Sequence, residues 1–268
     1  MSDLQVLGCS LGAALAFMTV VWILSLLVRN ASIVDTFWGV GFNALAWITY
    51  LLAGQATLRG AVMLGLVALW GARLAIHVGL RNWGRGEDWR YRKWRDEAGR
   101  SFWWRSYFKV FLLQGVVMTI VALPLTLGIS AAGSFSLGPL EYAGLSIWWI
   151  GFAFETIGDG QLRRFKRDPE NAGEVMDRGL WRYTRHPNYF GESLVWWGFF
   201  LIAASTPLGA WTVFGPALIT FLLVRVSGVR MLEAGMKDRK PAYADYIRRT
   251  SAFIPWPPRR RSEPRQSA

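Results

Sequence analysis

Seven apolar runs, at about 5–28, 36–53, 58–78, 107–129, 139–157, 190–205 and 207–228, take up most of the chain. Inside a bilayer no water pairs with the backbone, so only helices or closed barrels cross it, and a crossing helix needs about 20 apolar residues. Runs of this length predict an all-α fold, a polytopic membrane helical bundle of about seven transmembrane helices, with six as the competing count. The first run is too long, too weakly basic at its front and too poor in a cleavage site to be a signal peptide.

The net charge of +12 raises nucleic acid as a partner, but the placement of the charge points elsewhere. Of the 30 Lys and Arg, one lies in 29–35, eight in 79–106, seven in 158–189 and eleven from 225 onward, while 1–4, 130–138 and 205–207 hold none. Such alternation is the positive-inside pattern for an odd number of spans. It predicts an N-terminus outside, a C-terminus in the cytoplasm and no nucleic-acid partner. Cys9, the single cysteine, lies in the first run, which leaves no disulfide framework and no cysteine-based metal site. Residues 1–258 read as one integral-membrane domain, its cofactor half at about 140–258, with a disordered basic tail at 259–268.

The polar chemistry gathers in a few places. Gly179-Leu-Trp-Arg-Tyr-Thr-Arg-His-Pro-Asn-Tyr-Phe-Gly-Glu192 crowds Arg185, His186, Asn188, Tyr189 and Glu192 against the start of an apolar helix. Polar groups there cost free energy unless paired or facing water or a ligand. Pro187 holds His186 extended and lets the next helix begin, with Asn188 near its N-cap and Glu192 one turn inside. Glu155, Asp159, Leu162, Arg163 and Lys166 recur at helical spacing, so they share one face. Glu155 and Asp159 repel unless cations or ligand donors lie between them, and pairing with Arg163 is the plain alternative. The Arg163–Arg167 cluster suits a pyrophosphate and a ribose phosphate, or anionic headgroups. Asp35 opens the second helix, either as an ordinary cap or as a carboxyl at pocket depth. Arg73 and His77 share a face of the third helix, which Arg81 ends, and pairing of Arg73 with Asp35 is the plain reading there. No metal-ligand spacing, Gly-x-Ser-x-Gly elbow, Walker loop or Rossmann fingerprint is present.

Residues 179–192, followed by Trp196-Trp-Gly198, resemble the signature of the steroid 5α-reductase-like membrane enzymes, and more closely their bacterial, largely uncharacterised branch. The similarity runs over roughly 30–256 and extends to the membrane sterol reductases and the isoprenylcysteine carboxyl methyltransferases. The resemblance implies a bundle whose cytoplasmic side holds NADPH, in a bacterial inner membrane. It assigns Asn188 and Glu192 to the family's Asn-x-x-Gly-Glu element at the cofactor, and Asp159 to the aspartate near the nicotinamide. Glu155 falls where the family often has asparagine. Arg163 and Lys166 match phosphate-binding bases, Arg81 the arginine ending the third helix, and Arg230, Glu233 and Tyr246 the group around the adenosine. His186, Tyr189 and Arg90 join this cofactor set. The family's Gln-Glu pair and third-helix Tyr are replaced by Val34-Asp35 and His77-Val78.

The expected activity is NADPH-dependent reduction of a polarised C=C bond in a lipophilic, steroid-like or isoprenoid substrate. Asp35 and His77 would hydrogen-bond the carbonyl, and a water or a nearby Tyr would deliver the proton. Membrane lipid is a further partner, and a monomer or weak oligomer the expected state. The alternatives are an S-adenosylmethionine-dependent methyltransferase of a lipid or prenyl carboxylate, and a non-catalytic scaffold. S-adenosylmethionine carries no phosphate, so the basic cluster, Arg90 and Arg230 favour NADPH.

Overall fold

A computed structural model describes residues 1–132, 136–226, 228–229, 233 and 242–259, and every helix among them conforms to the all-α expectation. Four helices are long and apolar enough to cross a membrane, Asp3–Leu27, Ile33–Ala53, Leu58–Asn82 and Gly209–Val226; a bent pair, Trp89–Val121 with Leu123–Ser130, makes a fifth. Two of the seven runs fall short of that standard for visible reasons. Helix α8 (Pro139–Arg167) carries Glu141 and Glu155 within its apolar part. Helix α9 (Pro187–Ala203) has 17 residues, or about 25 Å at 1.5 Å per residue, against a hydrocarbon core of about 30 Å.

The chain divides into two compact units. Unit 1 is Met1–Gly144 with Phe199–Gly215. Its helices are α1 (Asp3–Leu27), α2 (Ile33–Ala53), α3 (Leu58–Asn82), α4 (Trp89–Ala98), α5 (Phe102–Ser106), α6 (Leu113–Val121) and α7 (Leu123–Ser130), with a π-helical turn at Tyr107–Leu112. Local signals set their ends. Ser2 and Gln5 form a capping box on α1, Thr57 accepts from the Gly60 N–H at 3.0 Å, and Gly54 closes α2 at φ +66°. Pro124 supplies no N–H and its ring crowds the preceding turn, so the 107–129 run bends by 48° between α6 and α7. Helices α2 and α3 cross where Gly39 meets Gly71, and a Cβ on either would run into the other's carbonyl. Arg59 donates to the carbonyls of Gly128 (3.0 Å), Ala131 (2.8 Å) and Ala132 (3.1 Å), capping the end of α7. Leu4, Val20, Ile23 and Leu27 on α1 and Trp47 and Leu51 on α2 stay exposed, as lipid-facing side chains do.

Unit 2 is Leu145–Gly198 with the chain from Pro216. Helix α8 runs unbroken out of its apolar part to Arg167, as the spacing of its polar face predicts. It crosses α9 at glycines: a Cβ on Gly151 would lie 2.6 Å from the Gly191 carbonyl oxygen, and one on Gly191 2.5 Å from the Glu155 nitrogen. Helix α10 (Phe214–Phe221) and a π-helical turn at Leu222–Val226 follow, then α11 (Ala242–Arg249). Arg230, residues 231–232 and 234–241, and the basic tail beyond Arg259 lie outside the described residues.

Candidate functional site

Each unit holds a polar cluster that includes residues singled out in the sequence. In unit 2 the close glycine contact draws α8 and α9 together and buries Glu155 and Asp159, at 2% and 8% exposure. Helix α9 starts at Pro187, and its first bond runs from the Phe190 N–H to the His186 carbonyl at 3.0 Å. His186 therefore holds the capping position, two residues earlier than Asn188. The Asn188 side chain is left free to reach α8, where its Nδ2 donates to Asp159 Oδ1 at 3.1 Å. Its Oδ1 is buried and, among the described residues, has no hydrogen-bond partner. A buried unmet acceptor is rare enough to mark a place where a donor is wanted. Glu192, half-buried, lies one turn farther along α9. Arg163 and Lys166 are exposed one and two turns beyond Asp159 on α8.

The loop 172–186 is anchored to α8 by Trp181 Nε1 on the Gly158 carbonyl (3.0 Å) and by the Leu180 N–H on Gln161 Oε1 (3.0 Å). Arg185 then ties the C-terminal segment down. Its guanidinium forms a two-pronged bond to Glu233, Nε to Oε1 at 2.6 Å and Nη2 to Oε2 at 3.1 Å, and Nη1 donates to the carbonyls of Ile247 (3.1 Å) and Thr250. Its backbone N–H pairs with the Ser251 carbonyl at 2.9 Å. His186 Nε2 lies 3.2 Å from Glu233 Oε1, and its ring stacks on Tyr189 at 5.4 Å. Burial alone would raise the Glu233 carboxyl, but the bonds from His186 and Arg185 hold it below its ordinary value. Tyr246 donates to the Trp181 carbonyl at 2.5 Å. Glu233 and Tyr246, assigned above to the adenosine end, are thus both engaged in fastening the tail.

The cluster of unit 1 centres on Asp35, in the first turn of α2. Its Oδ2 accepts from Arg90 Nη2 at 3.1 Å and its Oδ1 from the Tyr91 hydroxyl at 2.9 Å. Arg90 also binds Asp88, which caps α4 by accepting from the Arg90 N–H at 3.0 Å. The loop before α4 is stapled to the start of α2: Glu87 accepts from the Ala31 N–H (2.7 Å) and takes a two-pronged bond from Arg95, while the Asp88 N–H donates to Ser32 Oγ (3.1 Å). Burial would raise the Glu87 carboxyl, and these donors bring it below its usual range. Trp38 Nε1 donates to Gln114 nearby. His77, on α3, is half-buried, and Arg81 at the end of α3 is exposed, its Nε on Asn82 at 3.2 Å.

Of the expected residues, the structure joins Asp159 with Asn188, Glu155 with their helix crossing, His186 with Glu233, and Asp35 with Arg90. Tyr91 escaped sequence reading, where it stood as one more aromatic in a basic stretch. The available signal was its place one turn inside α4, on the same side as Asp88. Among the described residues no group of acidic, His and Cys side chains could hold a metal ion.

The family described as "Protein of unknown function (DUF1295)" matches residues 21–250. The chain belongs to this steroid 5α-reductase-like family. It is 27% identical to the uncharacterised protein C594.04c of Schizosaccharomyces pombe, over 91% of this chain and 78% of that one. It is also 28% identical to the mouse 3-oxo-5-alpha-steroid 4-dehydrogenase 1 over 85 residues, 32% of this chain and 31% of the mouse protein. The bovine protein of that name is 32% identical over 83 residues, 30% of its length. The chain thus spans less than a third of these steroid dehydrogenases. No solved structure matches at a comparable level.

Proposed function

We propose that this family member is a seven-span membrane reductase, N-terminus outside and C-terminus cytoplasmic, that uses NADPH to reduce a polarised C=C bond in a lipophilic enone, steroid-like or isoprenoid. The observation that carries the reading is the Asn188 side chain, held by Asp159 through its NH₂, with its buried oxygen unmet among the described residues. An unmet acceptor suits an amide N–H such as that of a nicotinamide carboxamide, and the exposed Arg163 and Lys166 suit phosphates. The match to proteins named as 3-oxo-5-alpha-steroid dehydrogenases supports the same choice of chemistry.

In unit 2, Asn188, Asp159 and Glu192 orient the nicotinamide, and Arg163 and Lys166 hold phosphate. Bound NADPH supplies the hydride for the β carbon of the enone. In unit 1 the proton donor is Tyr91, whose hydroxyl donates to Asp35 Oδ1 at 2.9 Å. Asp35 accepts its hydrogen bond and orients it, and Arg90 pairs with the other carboxyl oxygen of Asp35. A substrate carbonyl or enolate seated against Tyr91 would take over the hydrogen bond given to Asp35, and the α carbon would take the proton, which water then restores to the tyrosine. His77, half-buried on α3, is the second candidate hydrogen-bond donor to the carbonyl.

The test is thermal stabilisation of the detergent-purified protein by NADPH, NADH and S-adenosylmethionine. Stabilisation by NADPH that is lost in Asn188→Ala is the expected result. Stabilisation by S-adenosylmethionine alone would overturn the hydride reading in favour of methyl transfer.

A further inference from the structure

Unit 2 holds a second charged feature, outside every residue assigned above to the nucleotide. A groove of about 490 Å³ is walled by four arginines, Arg178, Arg182, Arg249 and Arg259, and by one acid, Asp177. The acid is already taken: Arg249 lies 3.4 Å from Asp177 and 2.7 Å from Asp245. Among the described residues no carboxylate pairs with Arg178, Arg182 or Arg259. Among the described residues, three guanidiniums therefore face one hollow with no carboxylate paired to them.

Backbone constraints bring them there, which a merely solvated basic face would not need. Gly179 takes φ +58°, a conformation costly for a side chain, and a Cβ at that position would collide with Gln161. That turn sets Arg178 and Arg182 on either side of the Leu180 and Trp181 anchors on α8. The Arg259 N–H donates to the Arg249 carbonyl at 2.9 Å, so the last strap of chain closes the groove. The same strap presents Ile254 and Trp256 at 65% and 70% exposure, and the Trp256 N–H is fixed on the Tyr183 carbonyl at 2.9 Å. An exposed Trp and Ile beside unpaired arginines is the composition of the headgroup level of a bilayer.

We propose that this groove binds the phosphate of an anionic phospholipid, with Arg178, Arg182 and Arg259 around the phosphate oxygens and Ile254 and Trp256 inserted at the interface. Arginine forks match phosphate oxygens two at a time, and the apolar strap selects a lipid over a free nucleotide. The site depends on the membrane location of the chain and not on the reductase reading.

Native mass spectrometry of the full-length protein tests it, after incubation with equal amounts of phosphatidylglycerol or phosphatidylcholine. Phosphatidylglycerol should stay bound, and the R178Q/R182Q double variant should retain about tenfold less of it or lower still. A control that removes an exposed charge elsewhere, Arg100→Gln, should retain it as wild type does. If the double variant does not fold, Arg259→Gln alone should cost about fivefold. Equal retention of the two lipids, or no loss in the arginine variants, overturns the site. Stabilisation by NADPH should persist in R178Q/R182Q. Its loss with lipid retention intact would give the groove to the nucleotide and sink the lipid assignment.

Discussion

Replacing Tyr91 with Phe removes one hydroxyl and leaves the ring in place. If Tyr91 donates the proton, kcat on an enone substrate falls by about 10²–10⁴-fold while stabilisation by NADPH is unchanged. A wild-type kcat would return the proton to water. Asn188→Ala should do the reverse, abolishing the NADPH-dependent shift in melting temperature and leaving the Asp35–Arg90–Tyr91 cluster folded. These residues were legible to different degrees. Asn188 and Asp159 stand out because their chemistry is unusual beside apolar helices. Tyr91 does not, because its link to Asp35 joins residues 56 apart on separate helices and nothing in either local pattern announces it. Glu233 was legible as a charged residue of the tail, but its engagement by Arg185 was not. Two of the other partners of Arg185 are the backbone carbonyls of Ile247 and Thr250, and a carbonyl has no letter in the sequence.

At the scale of elements, the α8–α9 crossing rests on Gly151 and Gly191. Gly191→Val places a Cβ against the Glu155 backbone, with overpacking that costs about 1–3 kcal/mol or more and pries Asp159 from Asn188. The expected result is a lower melting temperature together with weaker NADPH binding, measured on the same preparation. The Arg185 tie is a second point of failure. Arg185→Ala takes the two-pronged bond from the Glu233 carboxylate and leaves two carbonyls without their donor, and faster hydrogen exchange over residues 247–253 should follow. Acid should loosen the same contact. Because the Glu233 carboxyl is held below its ordinary value of about 4.5, the stability it lends is complete above that pH and fades as pH falls through the lower, folded value. Exchange at 247–253 should therefore rise on acidification below that range, and Glu233→Gln should remove the dependence. The helices themselves were readable from run length, capping residues and Pro124. The glycine crossings were present in the sequence but carry no mark of which glycine meets which.

For the whole molecule, the proposed topology makes a simple statement about sidedness. With Cys9 replaced by Ser, a cysteine at position 2 should react with a membrane-impermeant maleimide from outside intact cells, and one at Arg259 should react only after lysis. Labelling of both from outside would require an even number of spans. Charge placement made this expectation legible, since 27 of the 30 cations fall in four of the connections. The number of crossings was less legible, because α8 carries two glutamates and α9 is one turn short of a comfortable span.

Arg185 finds its last partners 62 and 65 residues later in the chain. During synthesis the arginine emerges long before the carbonyls that receive it, and at about 5–20 residues per second the wait lasts several seconds. In that interval water has to serve the guanidinium in place of those carbonyls. Insertion and maturation are therefore separate events in time, and a ribosome stalled near residue 240 would leave the helices delivered but the closing knot untied.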